Sequence, residues 1–207
     1  MVNDAILDTL WKGVYENPEI DALLAMIRPN DRILELGTGM GVMSGVVAKA
    51  NPGASFRAFE ANTALLAPIA QLHAMNGIEN ITVTNAVLLP NPTVSSIRFN
   101  LHANFTESSL LAGIESDAGV DVPVMDFCVV LAEFRPDILV RDIEGGEAEL
   151  FEGVSLQGLR GLVIELHPNL ISRTAVRQIF DTCAEAGLYP RVEWSDLTVI
   201  AFERVEP

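Results

Sequence analysis

Apolar residues recur at helical spacing over residues 4–12 (Ile6, Leu7, Leu10, Trp11) and 18–27 (Ile20, Leu23, Leu24, Ile27), which predicts two leading helices. Pro18 falls in the first turn of the second, and Pro29-Asn30-Asp31 ends it. The pattern then changes to short apolar runs. Residues 32–36, 55–60, 81–87, 137–142 and 161–167 read as buried strands. Helical spacing returns at 42–50, 64–75 and 174–186, and a further helix starts at 147–152. Asn51-Pro52-Gly53, Asn76-Gly77 and Gly187 supply the stops. Pro68 makes the 64–75 helix either start late or kink. Residues 122–131 read as an edge strand or a short helix. Residues 191–194 and 197–204, joined by Ser195-Asp196, read as an antiparallel hairpin.

Strands alternating with helices before a terminal hairpin predict an α/β fold, a doubly wound and mostly parallel sheet with a C-terminal antiparallel hairpin. Residues 90–121 break that rhythm with Pro90, Pro92, a candidate strand at 96–101 and a polar stretch at 104–109. We read them as an insertion on the rim of a single domain spanning 1–207, with 1–30 as the leading helices.

The chain has 207 residues, 49% of them hydrophobic and 20% charged, so it can bury a sizeable core. Its 13 Lys+Arg against 28 Asp+Glu leave a formal charge of −15. Such a surface repels phosphate backbones and anionic headgroups, which argues against nucleic acid or membrane as partners. The uncharged stretches 61–78 and 80–97 carry Pro and many amide or hydroxyl side chains, which excludes a spanning helix there. The first residues lack the basic lead and apolar run of a signal peptide. Cys128 and Cys183 are far apart and outside any metal-ligand spacing, so they read as reduced core thiols and the expected location is cytoplasmic.

Open parallel sheets bind ligands at the carboxyl ends of their strands. Glu35-Leu36-Gly37-Thr38-Gly39-Met40-Gly41 lies at such an end, where glycines let the backbone turn sharply and approach a ligand. A dinucleotide loop would place its third glycine at 42, which is Val42. The glycine at 41, with Glu35 two positions before the loop, resembles instead the S-adenosylmethionine loop of Rossmann-like methyltransferases. In that reading Glu35 meets the cationic ammonium of the ligand, and Thr38 and the glycines surround it. Glu60 ends the second strand, 19 residues after Gly41, where an acid accepts hydrogen bonds from ribose hydroxyls. Ala61 follows it, and Asn85 and Ala86 at the end of the third strand are placed to flank adenine.

A second cluster stands on the neighbouring strand ends. Asp142-Ile143-Glu144-Gly145 follows one, and Glu165-Leu166-His167-Pro168 the next, with Glu165 and His167 on one face by period-two alternation. Four ionisable groups there are costly unless used or paired. As structural groups, Glu144 and Glu147 would be charges favouring a helix amino terminus, and His167 would hydrogen-bond a neighbour.

Taken together, residues 32–190 resemble the FkbM family of S-adenosylmethionine-dependent methyltransferases. The likeness rests on the glycine loop with Val42-Met43-Ser44, on Ala58-Phe59-Glu60-Ala61-Asn62, on Asn76-Gly77, and above all on Asp142-Ile143-Glu144-Gly145 with Glu165-Leu166-His167-Pro168. The family usually has Asp at Glu35, Ala-Asn-x-Gly at 38–41, Pro at Ala61 and Lys at Arg141. The resemblance implies a class I methyltransferase fold, S-adenosylmethionine as cofactor, and a hydroxyl of a small molecule or sugar as acceptor. Asp142, Glu144, Glu165 and His167 are then the catalytic candidates. His167 is the first choice of base, because its unperturbed pKa lies near neutrality. A divalent metal held by Asp142, Glu144 and Glu165 is the rival means of activating the hydroxyl. A nicotinamide-dependent oxidoreductase and a non-catalytic nucleoside-binding module are the alternatives on the same sheet. Residues 90–121 are expected to shape the acceptor pocket, with Phe99 and Phe105 as stacking rings. Trp11 and the leading helices either cap the sheet or make a homodimer contact.

Overall fold

The computed structural model describes residues 4–99, 119–143 and 149–205. In chain order it runs α1 (Asp4–Lys12), α2 (Asn17–Met26), β1 (Arg32–Leu36), α3 (Val42–Ala50), β2 (Ser55–Glu60), α4 (Thr63–Met75) and β3 (Ile81–Asn85). It continues with β4 (Val87–Leu89), β5 (Ser96–Phe99), β6 (Val120–Asp126), α5 (Phe127–Phe134), β7 (Ile138–Arg141), β8 (Gly161–Glu165), α6 (Arg173–Glu185), β9 (Leu188–Pro190) and β10 (Val199–Arg204). The main sheet has the order β3-β2-β1-β7-β8-β10-β9. Its first five strands are parallel; β10 runs antiparallel to both β8 and β9. The strand order reverses at β1, which lies between β2 and β7, so a crevice opens above the carboxyl ends of β1 and β7.

Alternation along the strands feeds two apolar layers. Leu34, Leu36, Leu139, Leu162, Ile164 and Phe202 face Phe127 and Val130 of α5 and Ile179 and Cys183 of α6. Ile33, Phe56, Ile138, Val140 and Val163 face Leu23 and Met26 of α2 and Met43 and Val47 of α3. The predicted leading helices are therefore present, and α2 is a structural layer of the sheet. Gly161 is pressed against it: a Cβ there would stand 1.9 Å from Met26 Sδ. Arg160 completes the joint by donating to Met26 O at 3.0 Å and pairing with Asp31.

Several local expectations change. The third strand divides: β3 ends at Asn85, and β4 leaves the main sheet to join a three-stranded sheet of order β4-β6-β5. The 122–131 segment is both a strand and a helix. Pro123 is tolerated in β6 because the two pairings are offset, β5 along Val120–Pro123 and β4 along Val124–Asp126, so Pro123 pairs on one side only. Asp126 then caps α5 by accepting from Cys128 N at 2.8 Å. α4 does not start late around Pro68; it begins at Thr63, capped by Asn62.

The terminal hairpin uses a different first arm. Leu188–Pro190 pairs with β10, whereas Val192–Trp194 is a 3-10 turn. Ser195 explains the change: its Oγ accepts from Ala201 N at 3.1 Å and donates to Arg191 O at 2.9 Å, taking the place of a strand partner. Around 147–152, the described residues hold only a 3-10 turn, Glu149–Phe151, with Leu150 and Phe151 buried. Of the rim insertion, β5 and the start of β6 are seen; residues 100–118 with Phe105 lie outside the described residues.

Leu23 is fully buried between α2 and the sheet. Its truncation to alanine leaves a cavity that the packed sheet cannot close, and Leu23→Ala should lower the unfolding free energy in urea by about 3 kcal/mol. A loss below about 1 kcal/mol would show that α2 is not packed on the sheet as described.

Candidate active site

The loop after β1 is built around close backbone approaches. Gly37 has φ +81°, and a Cβ on it would stand 1.8 Å from Asp142 O. Gly37 N and Thr38 N both donate to Phe59 O, at 3.0 and 3.2 Å, and Asp142 N donates to Leu36 O at 3.0 Å. The loop is thereby held between the ends of β2 and β7. Gly41, at φ +72°, starts α3; a Cβ there would come within 2.9 Å of Ile69. Glu60 Oε2 accepts from Gly39 N at 2.9 Å and Oε1 from Asn62 N at 2.7 Å. A carboxylate oxygen has a second lone pair, so both can still accept from a ligand.

A cavity of about 520 Å³ opens over these strand ends. Gly37, Gly39, Glu60, Ala61 and Ala86 line it, as do Asp142, Glu165 and His167. Phe59, Leu65, Val87, Leu88 and Phe99 form its apolar part. Phe99 packs with Val87 and Val122, against Ala61. Thr38, Gly41 and Asn85 stand behind the wall: Asn85 Nδ2 donates to Glu60 O and Ala61 O, at 2.8 and 3.1 Å. Glu144 lies outside the described residues.

Glu35 is also off the cavity, contrary to its expected place at a ligand ammonium. It alternates with Ile33 onto the α2–α3 side of the sheet, is 1% exposed, and accepts from Thr38 Oγ1 at 2.8 Å. It is a loop-holding group beneath the glycines. Besides Glu60, the acid that faces the loop from the cavity is Glu16, at the α1–α2 junction. Its backbone is left-handed, φ 52°, a conformation worth about 1–3 kcal/mol of strain for a residue with a side chain. What holds it is Met43 N, which donates to Glu16 Oε2 at 3.1 Å. A side chain on Gly39 would lie 3.7 Å from Glu16 Oε1 and 3.9 Å from Tyr15 Oη, so both residues face the loop.

Glu19 from α2 and Asp196, Leu197 and Thr198 from the turn before β10 complete the wall. Nothing in the sequence separates Glu16, Glu19 or Asp196 from ordinary solvated acids; only the docking of α2 and the tight Asp196–Val199 turn bring them here.

The strand-end cluster does assemble. Ligating atoms of Asp142, Glu165 and His167 all lie within 4.8 Å of one another. His167 Nε2 is 3.8 Å from Asp142 Oδ1 and 3.7 Å from Glu165 Oε2. Thr198 Oγ1 donates to Glu165 Oε1 at 3.3 Å, leaving Oε2 toward the histidine. Six carboxylates line the cavity, against one histidine and no lysine or arginine among the described residues. Burial pushes the carboxyls up, Glu16 to about 8 and Glu35 and Glu60 to about 7. Burial, and then the charge of Glu165, also raise Asp142 well above its ordinary value. A cleft of this kind favours a ligand carrying positive charge.

No protein-family model matches the chain, and no curated protein matches it in sequence. Solved structures match its fold. Precorrin-6y C5,15-methyltransferase from Geobacter metallireducens is 11% identical with a TM-score of 0.53, over 92% of this chain and 88% of that one. A TehB-like SAM-dependent methyltransferase from Corynebacterium glutamicum is 13% identical with a TM-score of 0.52, over 96% and 94%. Ribosomal protein L11 methylase from Lactobacillus delbrueckii is 14% identical with a TM-score of 0.51, over 91% and 77%. The chain therefore has the Rossmann-like class I methyltransferase fold, as its order of elements predicted.

The raised carboxyls make stability depend on pH with a definite sign. Between an ordinary carboxyl pKa of 4.5 and about 8, the folded protein keeps protons on Glu16, Glu35 and Glu60 that the unfolded chain has released. Their contribution is full below that window and is lost as pH rises through it. The ligand-free protein should melt at a higher temperature at about pH 5.5 than at about pH 8.5, and Glu35→Gln should narrow the gap. A higher melting temperature at the alkaline end would contradict this account of the cleft.

Proposed function

We propose that the chain is an S-adenosylmethionine-dependent O-methyltransferase of the FkbM type, which methylates a hydroxyl of a small molecule or sugar. The observation that carries this reading is the juxtaposition of two half-sites across one cavity: the glycine loop with Glu60, and the cluster of Asp142, Glu165 and His167. The fold neighbours that are methyltransferases support it, and so does the excess of carboxylates, since the cofactor carries a sulfonium and an ammonium.

Bound there, S-adenosylmethionine supplies an electrophilic methyl group on sulfur. Glu60 would accept from the ribose hydroxyls, and Ala61, Ala86 and Val87 would hold the adenine. Gly37 and Gly39 give the amino-acid end room beside the backbone. Glu16, in place of the buried Glu35, would hold the ammonium. Across the cavity the chain would present an acceptor hydroxyl for methyl transfer. Its proton must leave for this to proceed, and Asp142, Glu165 and His167 are the groups that receive the hydroxyl and draw the proton away. Holding both reactants in line supplies much of the rate.

Adenosylhomocysteine should raise the melting temperature of the purified protein where NAD does not, by an amount equivalent to about 2.7 kcal/mol at a hundredfold excess over Kd. A labelled-methyl screen over hydroxyl compounds and cell extract should then find an acceptor. Protection by NAD alone would sink the reading in favour of an oxidoreductase. Cofactor binding without transfer to any hydroxyl would favour a non-catalytic module.

The role of Glu16 has its own test. Glu16→Gln removes a charge-assisted hydrogen bond and should weaken adenosylhomocysteine about tenfold, while leaving 5′-methylthioadenosine, which lacks the amino-acid end, unchanged. Equal loss for both ligands would place Glu16 elsewhere.

A further inference from the structure

Methyl transfer accounts for the glycine loop, Glu60 and Glu16, but leaves an imbalance at the other end of the cavity. Asp142, Glu165, Glu19 and Asp196 gather there around His167. Like charges held out of water repel unless a counter-charge stands between them. Glu19 makes the imbalance specific. It is 7% exposed on the first turn of α2, lines the same cavity, and is electrostatically coupled to Glu165, Asp196 and His167. Yet among the described residues its Oε2 has no hydrogen-bond partner. A buried carboxylate oxygen left unsatisfied costs several kcal/mol, a deficit that a bound cation or its water shell removes.

We propose that Asp142, Glu165 and His167 hold a divalent metal ion, with Glu19 facing its water shell. With bonds of about 2.1 Å, ligand atoms around an octahedral ion stand about 3.0 Å apart when adjacent and about 4.2 Å apart when opposite. The observed separations of 3.7 and 3.8 Å from His167 Nε2 fall between these, so small rotations complete the site. One imidazole nitrogen with two carboxylate oxygens favours manganese, iron, cobalt or zinc over magnesium or calcium. Thr198 is the supporting contact, fixing Glu165 Oε1 so that Oε2 points inward.

Three protein ligands would leave open positions, and an ion held there would supply Lewis acidity toward an acceptor hydroxyl. That consequence rests on the methyl-transfer reading, whereas the site itself does not. With the ion in place the His167 lone pair is committed to the metal, so the cluster acts by ligation and not through a free imidazole base.

The test is manganese binding to the full chain, followed by calorimetry and by loss of the free-ion electron paramagnetic resonance signal. We expect one site per chain. Asp142→Asn and Glu165→Gln should each weaken it by at least about tenfold, and Glu19→Gln by less. Melting with adenosylhomocysteine in each variant reports folding and the cofactor half separately. Wild-type protein that adenosylhomocysteine protects but that binds neither manganese, cobalt nor zinc below millimolar concentration would overturn the metal site and leave the methyltransferase reading intact. So would variants that bind as tightly as wild type. Metal binding in a protein that adenosylhomocysteine does not protect would uphold the site and remove the cofactor reading.

Discussion

The site depends on one close approach: the backbone of Gly37 against the carbonyl of Asp142. Only a residue without a side chain permits it, since a Cβ would stand 1.8 Å from that oxygen. It sits where β1 and β7 finish side by side, and the bond from Asp142 N to Leu36 O extends the ladder past the last paired residues. The glycine turn after β1 and the acid at the end of β7 are thereby one rigid piece. Moving either moves the other. This is how an open parallel sheet turns strand ends that are distant in sequence into a single chemical site.

The second feature is electrostatic. The cavity draws carboxylates from the α1–α2 junction, from α2, from the ends of β2, β7 and β8, and from the turn before β10, and no lysine or arginine among the described residues lines it. Charge of one sign crowded into a poorly hydrated space raises carboxyl pKa values, and Glu16, Glu35, Glu60 and Asp142 all move that way. The arrangement costs stability in the free protein and recovers it when cations enter.

The leading helices therefore do more than cover the sheet. α2 buries Leu23 and Met26 against Ile33, Ile138 and Val163, and that packing brings Glu16 and Glu19 to the cavity. Glu16 holds a left-handed backbone that nothing local favours, kept by a bond from Met43 N at the start of α3. Strain held by tertiary contacts is typical of positions where a side chain is aimed at a ligand.

Much of this protein is legible in its sequence, because much of it is decided over a few residues. Period-two and helical spacing place the five parallel strands and the helices α3 and α4 between the first three. The glycine loop and Glu60 mark the strand ends over which the cavity opens. The alternation of Glu165 with His167 set both on the face that Asp142 shares. Other features were decided only in three dimensions. Glu35 and Glu16 are both acids near glycines, and spacing favoured Glu35. Which one faces the cavity follows from the pleat of β1, which turns Glu35 beneath the loop, and from the docking of α2, which swings Glu16 over it. The first arm of the hairpin changed because the Ser195 hydroxyl outcompeted a strand for Ala201 N. Spacing and propensity act between near neighbours. Which distant groups share a buried space is settled by burial, and by the need of each buried polar atom for a partner.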